Sequence, residues 1–147
     1  MKSSAPMLFD KLSLNRRRIH LPQWRDILLR DIELLLNDAA HSASLALDKK
    51  TYCMNSVINY GLPTLSAKVP VNTDPIVLAK KIQQIIATFE PRLDPRSIRV
   101  TPFVNKNETW TLALLFDIYA KTNLPDDDLS VNLRIALDYS YGSVRVI

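Results

Sequence analysis

The hydrophobic period of this 147-residue chain switches at Glu90-Pro91-Arg92 from near 3.6 to 2, and any fold must accommodate that switch. On the N-terminal side Leu78, Ile82, Ile85 and Phe89 recur three or four apart with Ala79 and Ile86 beside them, while Lys80, Lys81, Gln83 and Gln84 take the other face. With Asp74-Pro75 as cap and first turn, this predicts a helix from Asp74 to Phe89. On the C-terminal side Ile98 and Val100 alternate with Arg99 and Thr101, and Trp110, Leu112, Leu114, Phe116 and Ile118 alternate with their neighbours. Leu129, Val131, Leu133, Ile135, Leu137 and Tyr139 alternate strictly with Ser130, Asn132, Arg134, Ala136 and Asp138, which predicts a long strand with one buried face; Ser143 to Ile147 is a final short strand.

Pro91 sets the boundary because proline lacks a donor and clashes with a preceding helical turn, so the helix stops at or before Glu90, which is pushed into an extended conformation. Residues two apart on an extended segment face one side, so Glu90 and Arg92 present a carboxylate and a guanidinium together. A glutamate there faces the negative end of the helix dipole, unfavourable by about 0.3–1 kcal/mol unless a cation compensates. Arg92 or a partner is the candidate cation. The plainer alternative is a solvated helix end with two unimportant charges.

Upstream, Pro22 opens another helix through about Ala40, with Trp24, Ile27, Leu28, Ile32, Leu35 and Ala39 on one face and the pair Asp26 and Arg30 opposite. Leu29, Leu34 and Leu36 widen its apolar surface, which implies cover on more than one side, by the core or by a partner. Cys53 to Pro63 is a turn-bearing connection in which Gly61 can take positive φ and Pro63 bars a helix. Residues 1–20, with Met7-Leu8-Phe9, Leu12, Leu14 and the basic run Arg16-Arg17-Arg18, form an N-terminal arm that either packs on the body or docks on another chain. Residues 21–147 are then a single α+β domain: two main amphipathic helices packed on an antiparallel β-meander of three to four strands. The terminal strand raises an edge question, since its outer donors and acceptors are open to another strand and Arg145 alone is weak protection.

The residues exclude several chemistries. Two glycines, Gly61 and Gly142, leave no glycine-rich phosphate loop. His20 and His41 lack partners at metal-site spacing, and Asp126-Asp127-Asp128 lacks the alternation, glycine and terminal glutamate of a calcium loop, so no metal or cofactor is expected. Cys53 has no flanking catalytic motif and cannot form an internal disulfide. Glu33 and Glu90 are conceivable as a hydrolase pair, but each has an adequate structural explanation. Arg16 to Arg18, without interleaved aromatics, is a weak basis for nucleic-acid binding. No catalytic residue is assigned. A net charge of +4, with 15 acidic among 19 basic residues, sets up no dominant field, and no apolar run reaches the roughly 20 residues of a membrane span.

Four segments in order resemble the baseplate wedge protein family of contractile tails, especially its type VI secretion members: Leu8-Phe9-Asp10-Lys11-Leu12, Arg30-Asp31-Ile32-Glu33-Leu34-Leu35-Leu36-Asn37, Ser56-Val57-Ile58-Asn59-Tyr60-Gly61-Leu62-Pro63 and Phe89-Glu90-Pro91-Arg92-Leu93. The resemblance implies a non-enzymatic structural subunit of the bacterial cytoplasm, in a baseplate docked at the inner-membrane complex. It implies TssF and TssG as wedge partners, a TssK-containing complex attached to them, and sheath subunits TssB and TssC added by strand exchange. Glu90, Pro91 and Arg92 are implied to hold the subunit in the wedge, with Arg30, Asp31, Asn59 and Tyr60 as further interface candidates. The family also carries an old lysozyme label, so the alternative is a muramidase-like peptidoglycan hydrolase using Glu90 as acid. Asp38-Ala39-Ala40 and Thr64 depart from the family's pattern.

Overall fold

A computed structural model describes residues 21–40, 52–63, 74–103, 113–123, 130–138 and 142–147, without the side chains of 21–23, 39–40 and 63. The expected arm, the basic run, both histidines and the triple aspartate lie outside the described residues.

Helix α1 spans Leu21–Asn37 and α2 spans Pro75–Phe89. Strands β1 (Ala39–Ala40) and β2 (Leu62–Pro63) form a short parallel pair, and two 3-10 turns, Tyr52–Asn55 and Val57–Asn59, precede β2. The main sheet is an antiparallel meander of β3 (Arg99–Phe103), β4 (Ala113–Lys121), β5 (Ser130–Asp138) and β6 (Ser143–Val146), in that spatial order. This is the expected α+β arrangement. Of the predicted strand starting at Trp110, the part from Ala113 is described, and it runs on to Lys121.

The core sits between the helices and one face of the sheet. Trp24, Leu28, Ile32 and Leu36 from α1 and Leu78, Ala79, Ile82 and Ile86 from α2 bury the 3.6-period stripes. They meet Phe116, Ile118 and Ala120 of β4, Val131, Leu133, Ile135 and Leu137 of β5 and Val144 of β6, the positions that period 2 selects. Each leucine, isoleucine, valine or phenylalanine among them contributes about 1.5–3 kcal/mol of burial. Asp74 caps α2 by accepting from the Ile76 amide at 2.8 Å.

Helix α1 stops earlier than its periodicity predicts. Instead of continuing to Ala40 it ends at Asn37, and Ala39–Ala40 pairs with Leu62–Pro63. Gly61 allows this: at φ 103°, an added Cβ would lie 2.3 Å from the Asp38 carbonyl oxygen. The close crossing of the two segments draws the chain off the helix. Leu36 is buried as expected, but Leu34 is 60% exposed.

Candidate functional site

Glu90-Pro91-Arg92 is a turn and not an extended strip. The Glu90 amide ends α2 by donating to the Ile86 carbonyl, and the Leu93 amide donates to the Glu90 carbonyl at 3.3 Å. Glu90 keeps the extended φ expected before proline, at −113°, but its ψ of 84° falls short of a strand, and the i to i+3 closure through Pro91 and Arg92 is held to the end of β4: Asn123 donates to the Arg92 carbonyl at 2.8 Å and Asp94 to that of Lys121 at 2.9 Å. The two side chains still meet. Arg92 Nε and Nη2 each donate to a Glu90 carboxylate oxygen at 2.6 Å, a bidentate pair.

The pair does not face solvent. Glu90 is 3% exposed, which overturns the reading of a solvated helix end. Arg92 is the compensating cation for the dipole, and it also reaches α1: Nη2 donates to Asp31 Oδ2 at 2.9 Å. The second Asp31 oxygen accepts from Arg30 Nε at 3.0 Å and Nη2 at 2.7 Å. The result is an alternating chain, Glu90, Arg92, Asp31 and Arg30, with formal charges that cancel. Burial alone depresses the Arg92 guanidinium, but the bonds and charges of Glu90 and then Asp31 outweigh it and hold it above the ordinary arginine value. Arg92 Nη1 is buried without a hydrogen-bond partner.

The Ser56 to Pro63 motif joins the same corner. The Ser56 hydroxyl oxygen accepts from the Ile58 amide and its hydroxyl donates to the Cys53 carbonyl at 2.8 Å, fixing the second 3-10 turn. Tyr60 then lays its ring edge-on against Phe89, centroids 5.3 Å apart and planes at 69°. Burial, followed by the nearby carboxylates of Glu90, Asp31 and Asp38, raises the Tyr60 phenol above its ordinary range. Neither 3-10 turn buries a residue, and they leave Tyr52, Val57 and Ile58 on the surface, at 99%, 85% and 43% exposure. Of the sequence-nominated residues, Glu90, Arg92, Asp31, Arg30 and Tyr60 are therefore brought together. Pro91 is exposed and contributes the turn, and Asn59 bonds locally to the Met54 carbonyl at 2.9 Å.

Sequence reasoning missed a second group on α1. Asn37 accepts from the Val144 amide at 2.8 Å and donates to the Val144 carbonyl at 2.7 Å, and Glu33 accepts from the Val146 amide at 3.0 Å. Residues four apart on a helix match the spacing of strand residues two apart, so the signal was present as a periodicity coincidence. It was legible only once β6 was known to lie against α1.

The arrangement offers little to catalysis. Both Glu90 oxygens are engaged by Arg92 and the residue is buried, so it is not placed to deliver a proton to a substrate oxygen. Among the described residues no three His, Cys, Asp or Glu side chains could hold a metal, and no helix is long and apolar enough to cross a membrane. Residues 23–126 match the family model described as baseplate wedge protein gp25. No curated protein and no solved structure matches the chain.

Proposed function

The chain belongs to the baseplate wedge protein gp25 family, and from that premise we propose that it is TssE-like, a non-enzymatic subunit of the type VI secretion baseplate that joins wedge subunits and starts the contractile sheath. A structural role in a baseplate, beside other baseplate subunits, comes with the family. The finer reading is supported by one observation above all: motif segments far apart in the chain converge on the Glu90, Arg92 and Asp31 network. Around that corner are exposed apolar side chains, Leu34 one turn along α1 from Arg30 and Val57 and Ile58 beside Tyr60. A buried ionic knot with exposed apolar side chains on two of the elements that meet there suits an assembly joint, with the knot fixing the shape and the apolar side chains making contact. TssF and TssG are the proposed wedge partners, with TssK on the complex and TssB and TssC as the sheath, in a baseplate at the inner-membrane complex in the cytoplasm.

Co-purification tests this. The tagged chain is expected to bring down TssF and TssG, and Glu90→Ala with Arg92→Ala to abolish that capture, with circular dichroism monitoring the fold. Undiminished capture by the folded double variant contradicts the reading. A turnover of purified peptidoglycan lost on Glu90→Gln would favour the hydrolase instead.

A further inference from the structure

Strand exchange needs an open sheet edge, and among the described residues side chains occupy much of the two outer edges. Backbone groups of a strand point alternately to either side, so the bond from the Ile147 amide to the Arg134 carbonyl fixes the parity of both strands. Val144 and Val146 of β6 face outward, and Asn37 and Glu33 of α1 bond their amides. At the opposite edge Pro102 has no amide to offer, and Arg99 Nη1 donates to the Ile98 carbonyl at 3.0 Å. The β6 edge is thus guarded by side chains, and the β3 edge lacks a donor at Pro102 and has its Ile98 carbonyl engaged.

A third stretch differs. The register of β6 covers β5 from Ile135 to Asp138, and the same parity turns Asn132 toward the side that β6 occupies farther along. Its carbonyl accepts from Arg25 Nη2 at 3.1 Å, an exposed side chain and no strand. Beside it lies an open cavity of about 770 Å³ whose apolar wall includes Leu29, Leu133 and Ile147. Its charged side chains are unbalanced, with the guanidinium groups of Arg25, Arg99 and Arg134 against one side-chain carboxylate, that of Asp117.

We propose that this half of β5, Ser130 to Leu133, is where an extended segment of an assembly partner adds to the sheet. The segment lies in line with β6 and displaces Arg25 from the Asn132 carbonyl. Alternating side chains of an added strand fall on opposite faces, so those toward Leu29 and Leu133 are apolar and those toward Arg134 and Arg99 are acidic. The inference rests on the assembly reading above and adds the place of entry and the chemistry of the entering strand.

Amide hydrogen exchange on the full chain, alone and with the TssB–TssC complex, tests it. In the free chain the Asn132 amide is expected to exchange at least about tenfold faster than those of Val144 and Val146, and TssB–TssC to slow it at least about tenfold. A slow Asn132 amide in the free chain means that this edge is already covered, by the chain itself or a second copy, and overturns the proposal. So does binding that slows only Val100, Val144 or Val146. Binding without slowing at Asn132 overturns this inference alone, whereas no binding overturns it together with sheath initiation. Arg99→Glu is a second check, on an exposed residue of the acidic strand's proposed face: it should weaken TssB–TssC capture about tenfold and leave TssF and TssG capture unchanged. Equal TssB–TssC capture by that variant contradicts the acidic strand.

Discussion

A carboxylate at 3% exposure is tolerated at Glu90 because Arg92 meets both of its oxygens. Removing the cation leaves the charge buried and unpaired, so Arg92→Ala is expected to destabilise the fold by about 3–5 kcal/mol in urea unfolding. Asp31→Ala leaves the bidentate pair intact and removes one charged bond to Arg92, an expected loss of about 1.5–3 kcal/mol. Equal losses for the two variants would contradict this ordering. Gly61→Ala should cost more than about 1 kcal/mol, since the new Cβ meets the Asp38 carbonyl at a positive φ. On the sheet's outer face the Arg134 hydrogen bond holds the Asp117 carboxyl below its ordinary range. A lowered carboxyl stabilises the fold above its unfolded value and loses that contribution as pH falls through the lowered one. The stability gap between the wild-type chain and Arg134→Gln should therefore narrow below about pH 4, and a gap that widens there contradicts the pairing. At this scale the sequence showed that Glu90 and Arg92 meet. That Asp31, 61 residues away from Arg92, joins them was hidden, because nothing local to either residue encodes their meeting.

Element scale was more legible, since α2, β3, β5 and β6 follow from hydrophobic spacing alone, and spacing is what burial on one face dictates. The end of α1 was not. Ala39 and Ala40 favour a helix intrinsically, but the close crossing at Gly61 lies outside any window that periodicity can see. The same helix end explains the β6 edge, which looked open in sequence because its guards, Glu33 and Asn37, sit more than a hundred residues upstream. Asn37→Ala removes two bonds to Val144 and should lower stability by about 1–3 kcal/mol. It should also promote self-association, visible by light scattering; a strictly monomeric and equally stable variant would show that the edge needs no guard.

For the whole molecule, the packing of two helices on one face of a meander leaves a corner where α1, the second 3-10 turn and the end of α2 converge. The knot inside that corner sets its shape and the apolar rim outside it is available for contact, so the two functions separate by mutation. Variants of the knot test folding and assembly together. Variants of the rim test assembly alone, because Leu34 and Val57, at 60% and 85% exposure, carry little of the core. The most direct measurement is the affinity of purified Leu34→Asp with Val57→Asp for a TssF–TssG complex, alongside its melting temperature. Binding at least about a hundredfold weaker is expected at an unchanged melting temperature, about 2.7 kcal/mol of binding energy. Wild-type affinity in that variant would contradict it.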